Sequence, residues 1–115
     1  MKENLPKAVQ DCHDLLRWMI PELDHFPRVR RFSLGERLES GLLAVLEWLV
    51  EAAYAREKSM LLARANQRLA VVRHLWRLCH ELGVISQKKY LHGAELMVQL
   101  GRQIGGWLRA SKAAP

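Results

Sequence analysis

Cysteine is scarce in this chain. Cys12 and Cys79 are the two among 115 residues, and no Cys-x-x-Cys pair occurs. That usage indicates neither a zinc site nor a redox motif. Both cysteines fall on apolar helical faces, as small buried hydrophobes of a reducing compartment do. Long apolar runs are missing too, and the stretch MKENLPKAVQDCHD has no apolar signal core. Neither a membrane span nor a membrane partner is expected, and cytoplasm is the expected location. No segment alternates as a strand, so a glycine-rich phosphate loop following a strand has no place here. Internal repeats, low-complexity segments and sequence-reading motifs of the RNP or helix-turn-helix kind are likewise absent. Acidic residues are in deficit: 12 Asp and Glu face 18 Lys and Arg, leaving a formal charge of +6. Arg predominates among the cations, and its planar fork suits phosphate better than Lys does.

What remains is helical periodicity. One domain spanning 1–115 is expected, all-α, with helices at about 6–26, 33–56, 59–82 and 86–110, folded as an antiparallel up-down-up-down four-helix bundle. In the first, Ala8, Val9, Cys12, Leu15, Leu16, Met19, Leu23 and Phe26 share one stripe. Pro21 lies on the polar side, which suits a bent helix rather than its end. Phe26 to Phe32 reads as a connection, and Ser33 with Glu36 as a capping box opening the second helix. Its inward residues are Leu34, Leu38, Leu42, Val45, Leu46, Leu49 and Ala53. A tight turn falls between Arg56 and Met60, with Ser59 a candidate cap. The third helix places Leu61, Ala65, Leu69, Val72, Leu75, Trp76 and Cys79 on one side and Arg73 and Arg77 on the other, at about 100° per residue. Gly83 ends it as a left-handed C-cap. Ser86 caps the fourth, whose stripe is Tyr90, Ala94, Met97, Gly101, Ile104 and Leu108. Residues 1–5 read as a loose start and Ser111–Pro115 as a frayed tail.

Each helix carries one tryptophan, Trp18, Trp48, Trp76 and Trp107, displaced toward the edge of its stripe. Such rings either close the rims of a single core or mark a subunit interface. Gly101 and Gly105, one turn apart, permit close approach of another helix.

Little in the sequence supports catalysis. Glu22-x-x-His25 has di-iron spacing but lacks the second Glu-x-x-His and the further inward glutamates that such sites need. His74 and His80 project about 120° apart on one helix and cannot share a metal. Cys12 and His13 are adjacent and point in different directions. No catalytic residue, metal site or cofactor is expected, and the chain reads as a non-enzyme. The basic groups carry the functional signal: Arg28, Arg30 and Arg31 beside Arg37, then Arg73 and Arg77, and Arg102 with Arg109. The first cluster either pairs with the acidic second helix or joins the others as a polyanion surface, where affinity falls steeply with salt. Arg64 and Arg68 project toward the stripe's edge, placed to snorkel or to pair across an interface.

The runs Phe26-Pro27…Arg31-Phe32-x-Leu34-Gly35-Glu36, Leu69-Ala70-Val71-Val72-Arg73-x-x-x-Arg77-Leu78 and Gly101-Arg102-x-Ile104-Gly105-x-Trp107-Leu108 resemble the accessory variability determinant (Avd) proteins of diversity-generating retroelements. These are grouped with the four-helix-bundle proteins encoded in bacterial 23S rRNA intervening sequences. The resemblance spans about residues 8 to 110. It implies a protomer of a pentameric, barrel-like ring that associates with the element's reverse transcriptase and binds RNA or DNA in mutagenic copying. It also implies that Arg73 and Arg77 match the family's paired arginines on the third helix, which are linked to nucleic-acid or polymerase contact. The alternative is an oligomeric bundle of the intervening-sequence type, its basic surface merely solvated.

Overall fold

The computed structural model describes residues 5–113. Four long helices, α1 (Lys7–Leu23), α3 (Glu36–Tyr54), α4 (Ser59–Glu81) and α5 (Gln87–Ala113), account for most of them, with a single turn α2 (Arg28–Arg30) and a π-helical turn Arg31–Gly35 between the first two. No strand occurs among the described residues. α3 packs on α4, α4 on α5, and α1 on both α3 and α5, so the helices close around one core in an elongated molecule of 49 × 29 × 22 Å. Short connections reverse direction between successive helices, as an up-down-up-down bundle requires.

The α1 stripe is buried throughout, from Ala8 to Phe26. Pro21 donates no N–H to the carbonyl four residues earlier, and regular helix ends soon after it, at Leu23. Tighter bonds continue the chain: Asp24 N–H to Pro21 O at 3.2 Å, His25 N–H to Glu22 O at 3.1 Å and Phe26 N–H to Leu23 O at 3.1 Å. The helix expected over 6–26 is thus shorter, although Phe26 still reaches the core at 7 % exposure.

The capping box at Ser33 does not form. Pro27 starts the next helical segment, its carbonyl accepting from Arg30 and Arg31 N–H at 2.8 Å each. The Ser33 hydroxyl instead donates backward, to Val29 O at 2.8 Å. The serine is therefore inside helical backbone, making the i−4 bond open to any helical serine. The segment reaches α3 through the π turn, whose wider winding re-phases the chain before Leu38, Leu42, Val45 and Leu49 enter the core.

The turn between α3 and α4 falls where expected, with a different fastener. Lys58 donates to Ala55 O at 2.7 Å and to Ala52 O at 2.8 Å, the latter also accepting from Ala55 N–H at 3.3 Å, and so ties down the end of α3. Ser59 is the first residue of α4 and makes no capping bond. Gly83, with φ +74°, ends α4. Its N–H donates to His80 O at 3.0 Å and that of Val84 to Cys79 O at 2.9 Å, the Schellman arrangement. The Ser86 hydroxyl accepts from Lys89 N–H at 3.2 Å, capping α5 as expected. Ser111 to Ala113 remain helical rather than frayed. Residues 1–4 of the loose start and residues 114–115 of the tail lie outside the described residues.

Two glycines outside the expected helical stripes set the packing. A Cβ at Gly41 would meet Val72 Cγ2 at 2.6 Å, and one at Gly93 would lie 2.7 Å from Trp76 Nε1. α4 thus sits against α3 and α5 through a side chain docked on each bare backbone. Gly101 and Gly105 have looser surroundings, with nearest side-chain atoms at 3.7 and 3.5 Å.

Candidate nucleic-acid interface

Trp76 departs from its expected edge position. It has no exposure, and its indole N–H donates to Tyr90 O at 2.9 Å. Gly93 is the reason: the missing side chain on α5 leaves a slot that the indole fills, so this ring belongs to the protomer's core and is removed from any subunit seam. Trp18 packs edge-on against it at 6.0 Å and also meets His92 at 4.7 Å. Trp48 and Trp107 are half-buried against the core, and Arg68 lies over the Trp48 ring at 5.4 Å. Arg64, Gln67 and Val71 join that pair around a shallow hollow.

Burial of the inner face of α4 leaves its outer face to Ala70, Arg73, His74 and Arg77, all exposed. Arg73 and Arg77 are one turn apart and border a groove of about 290 Å³ between α4 and α5. Tyr90, Ala94 and Val98 form its α5 side, and the buried Trp76 and Met97 lie beneath. His80 stacks on Tyr90, with ring centroids 4.6 Å apart and 12° between planes. Arg77 pairs with Glu81 at 3.2 Å. Arg73 makes no ion pair among the described residues. An exposed pair one turn apart is worth only about 0.3–0.5 kcal/mol, so Arg77 is weakly committed to Glu81.

The other expected arginines divide. Arg31 is committed internally, to Glu39 at 3.1 Å and Asp24 at 3.7 Å, and is 23 % exposed. It clamps the π turn between two helices, and its side chain lies against Gly35, where a Cβ would meet Arg31 Cδ at 3.3 Å. Arg28, Arg30 and Arg102 are exposed without ion pairs among the described residues. Arg30 and Arg37 border a second hollow, of about 580 Å³, with Phe32, Leu75, Leu78 and Leu82. Phe32 is 63 % exposed, an apolar feature whose place in a connection gives no hint of the hollow beside it. Arg109 folds back toward Gly105 and Gly106. The expected arginines therefore occupy several surfaces: Arg73 and Arg77 share the α4–α5 groove, and Arg30 and Arg37 share the hollow beside Phe32.

Burial pushes the Cys12 thiol up to about 12 and the Cys79 thiol up to about 11, the charge of Arg30 pulling the latter slightly down. Such thiols are poor nucleophiles and poor metal ligands. Among the described residues no three His, Cys, Asp or Glu side chains converge as a metal site, and no helix is long and apolar enough to cross a membrane. Glu22 is ion-paired, its Oε2 lying 2.8 Å from Lys89 Nζ.

Fold and surface together define a small, basic four-helix-bundle protein with its arginines on the outside. The model of the bAvd-like family matches residues 8–111, and the chain belongs to that family. No curated protein matches the chain.

Proposed function

We propose that this protein is a non-catalytic accessory subunit of a diversity-generating retroelement. In this reading it is a cytoplasmic homo-oligomer, a pentameric ring, that binds template RNA or its cDNA and the partner reverse transcriptase during mutagenic copying. The observation that carries the proposal is the α4 outer face in a chain of this family: Arg73 has no acidic partner among the described residues, and Arg77 has only an exposed one. Repeated around a ring, two guanidinium groups per chain become a belt whose affinity is multiplied by valency. Arg28, Arg30 and Arg102 are free to extend the belt, whereas Arg31 is held by Asp24 and Glu39. Trp48 and Trp107, half-buried on the protomer, remain candidates for the subunit seam.

Salt-dependent RNA binding by the wild type and an Arg73→Ala/Arg77→Ala variant tests the proposal. The double variant should bind more weakly, with a salt slope smaller by about one for each phosphate that is no longer neutralised. Equal affinity and slope would remove this face from the mechanism. The mass of the intact assembly tests the ring, and co-purification with the reverse transcriptase tests the partnership.

A further inference from the structure

We infer that the groove between α4 and α5 is a subsite for one nucleobase of single-stranded nucleic acid, with the adjoining phosphate on Arg73 and Arg77. The inference rests on the nucleic-acid reading above and deepens it: the base, and not only the backbone, contributes to binding.

Three features lead to this ligand. The groove is small, about 290 Å³, a space for a flat heterocycle rather than for a packed helix. Its α5 wall, Tyr90, Ala94 and Val98, is largely apolar and faces Ala70, while its polar groups, Arg73, His74 and Arg77, all come from α4. A nucleotide has that same division, an uncharged planar body with an anion at one edge. An apolar peptide side chain would fill the walls and leave both guanidinium groups unanswered. A carboxylate would answer the arginines and leave the walls wet. Nucleobases are also sequence-tolerant partners for such a site, because every base offers a π face to aromatic and guanidinium groups.

The groove is held in shape before any ligand arrives. Trp76 lies beneath it without exposure, its indole N–H committed to Tyr90 O at 2.9 Å. His80 covers one face of the Tyr90 ring. Tyr90 is thus fixed through both backbone and ring, which lowers the ordering cost of binding.

The test compares short oligouridine with an abasic ribose–phosphate strand of equal length, by fluorescence anisotropy over a range of salt. Wild-type protein should prefer the base-bearing strand by about tenfold, the scale of one stacked base. Ala70→Leu fills the groove from an exposed position, so folding is preserved, and Ala94→Leu fills it from the opposite wall. Either should abolish the preference while leaving the salt slope intact. Equal affinity of the wild type for both strands, or a preference that survives Ala70→Leu in a folded protein, would overturn the base subsite. In either case, weaker binding of both strands by Arg73→Ala/Arg77→Ala leaves the phosphate-binding face standing. Wild-type binding by that double variant removes the face and the subsite together.

Discussion

The two sides of α4 are built from the same helical turns and answer to opposite requirements. Inward, Leu62, Ala65, Leu69, Val72, Trp76 and Cys79 are at most 1 % exposed. Their placement is dictated by what other helices leave vacant, above all the bare backbone at Gly41 and Gly93. Outward, Ala70, Arg73, His74 and Arg77 are exposed, and what distinguishes them is the weakness of their local partners. The inner side is a finished set of contacts and the outer side an unfinished one. Changes on the first should register as stability, and changes on the second as binding.

The largest stability effect should come from the Trp76–Gly93 contact. Trp76→Ala removes a fully buried indole together with its hydrogen bond to Tyr90 O, at a cost of about 3–5 kcal/mol. Gly93→Val attacks the same contact from the other helix, because its Cβ would lie within 2.9 Å of three indole atoms. Overpacking of that kind costs about 1–3 kcal/mol or more. Denaturant titration checks both, and wild-type stability in Gly93→Val would show that the indole can move aside. Gly41→Ala is the gentler version against Val72, expected at about 1–2 kcal/mol because a single methyl group must shift.

These two glycines also show where local sequence rules stop being informative. The α1 stripe, the Gly83 cap and the Ser86 cap are legible because each follows from such a rule: a 3.6-residue period, a left-handed residue after the helix, a hydroxyl before it. Trp76 differs from its expected edge position because its place depends on a residue of another helix. Ser33 is ambiguous in sequence because its hydroxyl can cap a helix start or bond the carbonyl four residues back, and Pro27 upstream makes the choice. The face carrying Arg73 and Arg77 is visible from spacing alone. The groove beneath is not, because Tyr90, Ala94 and Val98 come from α5.

Alkaline pH gives a smaller and graded test of the inner side. Both cysteine thiols have folded pKa values raised above the ordinary 9.0, to about 12 and about 11. Above pH 9 the unfolded chain releases these protons while the folded chain retains them, so the unfolded state gains. The thiol contribution to stability is complete below pH 9 and is lost as pH rises toward the folded values. At pH 10 this amounts to about 1 kcal/mol per thiol. Cys12→Ala/Cys79→Ala should start less stable, because two buried side chains are trimmed, yet lose less between pH 8 and pH 10. An equal pH response in the two proteins would show that the thiols are not protected by burial. Alkylation supplies a second readout, since both thiols should react on unfolding only.

The smallest stability effects separate Arg31 from Arg73, two guanidinium groups put to different uses. Arg31 is 23 % exposed and joins Asp24 and Glu39, neither of them fully buried, so screening by solvent limits its value. Arg31→Ala should destabilise the protein by about 1 kcal/mol. Its RNA affinity should fall little, because a guanidinium held between Asp24 and Glu39 is not available to contact a phosphate, although the net charge falls by one in both variants. Arg73→Ala should do the reverse. With no ion-pair partner among the described residues, its stability should change by no more than about 0.5 kcal/mol. Its salt slope for RNA should fall by about one, for the single phosphate that Arg73 neutralises. Measuring stability and salt slope in both variants makes the comparison a crossed one, which a general effect of reduced positive charge cannot imitate. If both variants lowered the salt slope equally, net charge alone would explain binding, and the outer face of α4 would lose its claim to a specific role.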